Sequence, residues 1–121
     1  MKKTIMVVED DPLSLKLTAD LLEFSGFNVM QCACGDAALA ALKTSVPDLI
    51  LLDIGMPGID GFEVHKRIRQ DPRLAGVKVV ALSASVMKED MERINAAGFD
   101  AFIPKPIDVK DLAKKVKGFL L

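Results

Sequence analysis

An α/β fold built on one parallel sheet is what this sequence predicts, on three observations. Five short apolar segments alternate with five amphipathic ones along 121 residues. Most of the apolar segments are continuous runs of Val, Ile and Leu rather than alternating patterns, as strands buried on both faces require. Four of the five end in a residue able to act on a phosphoryl group: Glu9-Asp10, Asp53, Ser83 and Lys105.

The strand signals fall near 4–8, 28–32, 48–53, 77–82 and 101–104, the second being the least continuous. Helical patterns fill the intervals. Asp11 stands as an N-cap with Pro12 in the first turn, and that helix runs to about Ser25, where Gly26 stops it. Leu17, Leu21 and Phe24 or Leu22 are placed on its inner stripe, with Leu15 pointing to another side. A second helix spans about Asp36 to Thr44 and ends before Pro47; a third spans about Gly61 to Gln70 and is followed by Asp71-Pro72. The fourth covers about Lys88 to Ala97 and closes at Gly98. The last starts at Asp108, with Val109, Leu112, Ala113, Val116 and Phe119 at helical spacing. Strict βα alternation with right-handed crossovers leaves few topologies. The flavodoxin-like order 2-1-3-4-5, with helices on both faces, suits five strands and sets the first and third side by side at a switch point. Asp10 and Asp53 then meet at the carboxyl edge of the sheet.

Composition narrows the function. One domain, 1–121, is the expected organisation for this length. A net charge of -1 provides no electrostatic footprint for nucleic acid or an anionic membrane. Met1-Lys2-Lys3 leads into an apolar run that stops at Glu9 without a cleavage signal, and no run approaches the roughly 20 residues of a membrane span. The expected location is cytoplasmic. Cys32 and Cys34 lack further nearby Cys or His ligands, so they read as reduced thiols at a strand end. His65 reads as a surface or partly packed side chain, and Lys114, Lys115 and Lys117 as a solvated face that complements a helix dipole.

The chemistry lies in the joint pattern. Glu9, Asp10 and Asp53 brought together repel one another and raise their carboxyl pKa values unless a cation intervenes. Mg²⁺ with oxygen ligands offsets that repulsion and bridges phosphate oxygens. A carboxylate can take up a phosphoryl group as an aspartyl-phosphate, with positive charge and hydroxyl donors stabilising the equatorial oxygens.

Five motifs, in order and spacing, give the chain its resemblance to a known family. They are Val7-Val8-Glu9-Asp10-Asp11, Pro47-Asp48-Leu49-Ile50-Leu51-Leu52-Asp53, Met56-Pro57-Gly58-Ile59-Asp60-Gly61, Ala81-Leu82-Ser83-Ala84 and Lys105-Pro106. Together they resemble the receiver domain of two-component response regulators, the CheY-like form of the flavodoxin-like fold, over essentially the whole chain. The resemblance implies that Asp53 is the phosphoacceptor and that Asp10, Asp53, the Gly55 carbonyl and Glu9 (through water) hold Mg²⁺. It further implies that Ser83 is the switch hydroxyl, Lys105 the phosphoryl-binding lysine and Phe102 the switch aromatic, and that the Lys105-Pro106 bond is cis. Ser83 moving to the phosphoryl group leaves space that Phe102 fills, which changes the surface of the fourth helix, fifth strand and fifth helix. Ser85 is a second position expected to affect phosphoryl loss; Gly55 carries no side chain where many members have a polar one.

The same resemblance implies a histidine kinase or histidine phosphotransfer protein as donor, docking near Leu15, and a protein partner downstream. Val86-Met87-Lys88 after Ser83-Ala84-Ser85 looks most like stand-alone cell-cycle regulators of the DivK type. The expected role is therefore a phosphorelay regulator, catalytic only toward its own phosphorylation and dephosphorylation. The competing readings are a receiver cut from a hybrid kinase or larger regulator, a Mg²⁺-dependent phosphatase, and a receiver that binds partners without phosphorylation.

Overall fold

The computed structural model describes residues 2–56, 58–84 and 87–121. Its strands are β1 (Thr4–Val8), β2 (Asn28–Cys32), β3 (Leu49–Asp53), β4 (Lys78–Ser83) and β5 (Ala101–Pro104). All pair in parallel in the order β2-β1-β3-β4-β5. The register aligns Val8 with both Cys32 and Leu52, and Ser83 with Pro104, so the chemistry-bearing residues end on one edge.

The continuous apolar runs divide between the two faces with the period of a strand. Ile5, Val7, Leu49, Leu51, Val80, Leu82 and Ile103 point to one side, where they meet Leu22, Leu112 and Val116 of α1 (Pro12–Phe24) and α5 (Leu112–Phe119). Met6, Val8, Ile50, Leu52, Val79 and Ala81 point to the other. There they meet α2 (Gly35–Leu42), α3 (Gly61–Arg69) and α4 (Lys88–Ala97) through Ala38, Leu42, Val64, Ile68 and Ile94.

Caps match the expected starts. Asp11 accepts the Leu13 N–H at 3.2 Å, and Asp60 accepts the Glu63 N–H at 3.0 Å. Gly98, at φ +90°, ends α4 in the left-handed conformation. The exposed Cys34 thiol accepts the Ala37 N–H at 3.4 Å at the start of α2, while Cys32 is buried at the end of β2; both are free thiols.

Three expectations need correcting. The last helix starts at Leu112, not Asp108: the Asp108 carboxylate takes the Lys110 N–H at 2.9 Å and its carbonyl takes the Asp111 N–H at 3.2 Å, so the chain turns first and Val109 is left exposed. On α1 the inner stripe is Leu15, Thr18, Ala19 and Leu22, at i, i+3, i+4 and i+7, with Leu21 partly buried beside it, so of the expected inner residues Leu21 and Leu22 pack in the core. Leu15 is half-buried against the core, whereas Leu13, Leu17 and Phe24 are exposed. Leucine content alone misassigned the face, because Thr18 and Ala19 are small enough to let α1 lie close to the sheet. His65 is fully buried rather than on the surface or partly packed, and stacks on Phe99 with centroids 4.2 Å apart.

The turn from β3 into α3 fixes the edge where the site lies. A Cβ on Gly61 would stand 2.5 Å from the Ile54 Cα and 2.7 Å from the Asp53 carbonyl oxygen. Both are backbone atoms and cannot swing away. Gly61→Ala should therefore cost about 1–3 kcal/mol through overpacking, read as a lower urea midpoint by far-UV circular dichroism at unchanged slope.

Candidate functional site at the carboxyl edge of the sheet

Each side chain of the site is delivered by the end of a strand. β1 ends at Val8 and puts Glu9 and Asp10 beyond it; β3 and β4 end at Asp53 and Ser83; β5 is followed by Lys105. Backbone bonds fix these ends, with Glu9 N–H on Cys32 O at 3.0 Å and Lys105 N–H on Ser83 O at 2.8 Å. The Lys105-Pro106 peptide is cis. Glu9, Asp53 and Ser83 are buried, and Asp10 is exposed at the mouth. A cavity of about 380 Å³ opens beside Asp53, Gly55, Ser83 and Lys105.

One oxygen each from Glu9, Asp10 and Asp53 can be chosen so that all three lie within 4.8 Å of one another. Lys105 Nζ donates to Glu9 Oε1 at 2.5 Å and to Asp53 Oδ2 at 3.2 Å. Asp53 Oδ1 accepts the Gly55 N–H at 2.9 Å. One ammonium therefore serves two buried carboxylates, with a third close by, and negative charge is left over.

That surplus sets the protonation of the site. Burial pushes the Glu9 carboxyl up to about 7; the neighbouring Asp53 carboxylate adds to the rise, and Lys105 offsets only part of it. Burial works in the same direction on Asp53, but its bonds with Glu9, the Gly55 N–H and Lys105 prevail and hold it below the ordinary carboxylate value. Burial opposes the charge on Lys105, yet the two carboxylates win and raise its pKa. Glu9 Oε2 is buried and has no hydrogen-bond partner. Such an oxygen is satisfied by a proton or by a cation, and three clustered carboxylates are the donor set of a hard divalent ion. The residues present thus fit Mg²⁺.

The sequence-picked residues Glu9, Asp10, Asp53, Gly55, Ser83 and Lys105 converge here. Phe102, paired with Ala81 across the β4–β5 ladder, is half-buried and packs against the core cluster under α2, α3 and α4. Leu15 is not among the residues lining the cavity beside Asp53. Ser85 lies outside the described residues, as do Met1, Pro57 and Val86. Four residues of the cavity wall, Ile54, Phe62, Asp90 and Arg93, were missed by sequence reasoning. The last three stand on α3 and α4, away from the strand ends, and only the meeting of those helices brings them there.

A doubly wound parallel sheet with a carboxylate-lysine crevice at its β1/β3 switch point places a polar site where open α/β sheets bind their ligands, with a donor set suited to a cation and phosphoryl oxygens. The response regulator receiver domain model matches residues 5–117, and the chain belongs to that family. It is 41% identical over 120 residues to the polar-differentiation response regulator DivK of Brucella ovis, covering 99% of this chain and 98% of that protein. The Brucella anthropi protein of the same name matches at the same identity and coverage. Among solved structures, a putative response regulator from Chloroflexus aurantiacus superposes with TM-score 0.92 at 28% identity, covering 99% and 98% of the two chains. A CheY-like receiver domain protein from Methanospirillum hungatei gives 0.90 at 31% identity, covering 99% and 94%. The function class is therefore two-component phosphorelay signalling, with a phosphodonor upstream and a binding partner downstream, rather than conventional enzymatic turnover.

The Glu9 shift carries a stability signature. A carboxyl whose folded pKa lies above its unfolded value binds more protons when folded, so its contribution is full below the unfolded pKa of 4.5 and is lost as pH rises toward about 7. Asp53 acts in the opposite sense, losing its contribution as pH falls below the ordinary 3.8. Metal-free protein should therefore lose stability between pH 4.5 and 7 in chemical denaturation, and Glu9→Gln should flatten that slope.

Proposed function

We propose that Asp53 is the phosphoacceptor of this receiver, that Mg²⁺ is its cofactor, and that the chain works as one receiver domain, 1–121, in a cytoplasmic DivK-like phosphorelay. The observation that carries the reading is the pairing of one lysine with two buried carboxylates beside a third, leaving a buried carboxylate oxygen unpartnered. Asp10, Asp53 and the Gly55 carbonyl would hold the ion, with Glu9 acting on it through water. Mg²⁺ supplies charge neutralisation for the incoming phosphoryl oxygens.

The protein's own groups do the rest. The Gly55 N–H fixes one oxygen of Asp53 and so aims the other toward the cavity. Asp53 attacks phosphorus, the bond from phosphorus to the donor's imidazole nitrogen breaks, and the electron pair leaves with that nitrogen. Lys105 releases Glu9 to neutralise the phosphoryl group, and Ser83 donates its hydroxyl to one equatorial oxygen. Ser83 and the half-buried Phe102 then repack, which redistributes the surface of α4, β5 and α5 between two states. The same groups catalyse loss of the phosphoryl group to water, so the chemistry is confined to the domain itself. Donor and output partners are proteins, a histidine kinase or histidine phosphotransfer protein and a downstream target. The donor helix docks on the α1 side of the crevice, where Leu13 and Leu17 are exposed and the expected contact, Leu15, is half-buried beneath them.

Incubation with a phosphodonor and Mg²⁺ should give one hydroxylamine-sensitive phosphoryl group per chain, and Asp53→Asn should abolish it. Label retained in that variant would reject Asp53. Stable label without sustained phosphate release from added esters separates this reading from a phosphatase. Leu13→Ala/Leu17→Ala should slow transfer from a phosphohistidine protein by about tenfold, as loss of exposed docking contacts does, and spare transfer from acetyl phosphate.

Mg²⁺ binding must displace the Glu9 proton. Affinity should rise by up to about tenfold per pH unit below the Glu9 pKa and level off above it. The chain has no Trp or Tyr, so calorimetry in buffers of different ionisation enthalpy, rather than intrinsic fluorescence, reads both the affinity and the proton released.

A further inference from the structure

Arg93, in the middle of α4, differs from the other arginines of this molecule. The chain has four arginines. Arg67 pairs with Glu63, Arg69 with Asp100 and Arg73 with Asp71. Among the described residues no carboxylate forms an ion pair with Arg93. Its guanidinium carbon instead lies 3.9 Å from the centroid of the Phe62 ring. That ring meets Phe99 edge-on at 5.8 Å, and Phe99 in turn stacks on the buried His65. The platform under Arg93 is thus anchored in the core, and a guanidinium held over an aromatic face by cation–π attraction still has N–H groups to offer an anion.

Arg93 and Phe62 line the same cavity, of about 380 Å³, as Asp53, Ser83 and Lys105. Lys105 already serves the acceptor end. Arg93 places on another wall of the same space a second positive charge that makes no ion pair among the described residues, and Asp90 of the same helix lines that cavity too. A ligand using both has a phosphoryl group at Asp53 and a second group that becomes anionic as it departs. Acyl phosphates meet that description. We propose that Arg93 is a specificity-determining residue for low-molecular-weight acyl phosphate donors, receiving the carboxylate leaving group; the inference rests on Asp53 being the acceptor. In the step, an Asp53 oxygen bonds to phosphorus, the bond from phosphorus to the acyl oxygen breaks, and its electron pair leaves with the carboxylate. No proton is needed. The largely dissociative transition state puts charge on the departing oxygen, so the Arg93 contact is stronger there than in the bound donor and acts on the rate. A donor with a neutral leaving group, such as phosphoramidate or a phosphohistidine side chain, gains nothing from it.

The test compares Asp53 phosphorylation by acetyl phosphate and by phosphoramidate, both with Mg²⁺, in the parent chain and in Arg93→Ala, Arg93→Lys and Arg93→Glu. Arg93→Ala should slow the acetyl phosphate reaction by about tenfold, Arg93→Glu should slow it further, and Arg93→Lys should recover part of the rate, as loss of a charge-assisted contact to a developing oxyanion predicts. With phosphoramidate all three should stay within about twofold of the parent, which also shows that the variants are folded. The parent's preference for acetyl phosphate should shrink as salt screens this exposed charge. Equal losses with both donors, or an unchanged acetyl phosphate rate in Arg93→Ala, would overturn the role of Arg93. A parent chain labelled by neither donor would overturn the Asp53 reading, and this one with it.

Discussion

Everything at the working edge of this domain depends on the charge balance around Lys105. Its ammonium is shared between Glu9 and Asp53, two carboxylates that the fold buries side by side. Removing charged groups from water is costly unless they are paired, and here the pairing is incomplete by design of the sheet. The first and third strands are neighbours, so the residues following them must approach one another. The fold creates the repulsion, Lys105 relieves part of it, and what is left over suits the crevice to a cation and, in the proposed function, to a phosphoryl group. The proposed metal binding, acceptor chemistry and switching are successive ways of settling the same excess charge.

The packing explains how this strain is tolerated. Ile50, Leu51, Leu52, Val79 and Val80 are wholly buried, so the central strands are held from both faces. Gly61 lets α3 begin against the backbone of Asp53 and Ile54, and Arg69 ties the far end of that helix to the Val77 carbonyl at 2.7 Å and to Asp100. The proposed acceptor, Asp53, thus sits on a strand held from both faces. The parts assigned to the response, Ser83, Phe102 and α4, lie on the β4–β5 side. A site whose acceptor is fixed while its neighbours can repack suits a local electrostatic event with a distant readout.

Much of this was legible in the amino-acid sequence, for physical reasons. Strands buried on both faces need continuous apolar runs, and 4–8 and 48–53 could be little else. The residue after such a run lies at the sheet edge, so Asp10, Asp53, Ser83 and Lys105 could be placed together without knowing a single contact. Helix faces were less legible. Leu17 and Phe24 seemed better core residues on α1 than Thr18 and Ala19, yet the close approach of α1 to the sheet favours small side chains. The full burial of His65, read from sequence as a surface or partly packed side chain, was not legible because the Phe99 ring that stacks on it comes from the segment after α4. The Phe62–Arg93 wall was invisible for the same reason: it exists only where two helices distant in sequence meet. The start of α5 was misplaced because Asp108 closes a turn before the helix proper.

The most direct test of the central claim is the structure of the protein with Mg²⁺ and beryllium trifluoride, a stable phosphoryl mimic. This account predicts the mimic on Asp53, the ion in contact with Asp10 and Asp53, and the Lys105 ammonium moved from Glu9 to the mimic. An ion bound away from these carboxylates, or Lys105 still paired with Glu9 beside an occupied Asp53, would contradict it.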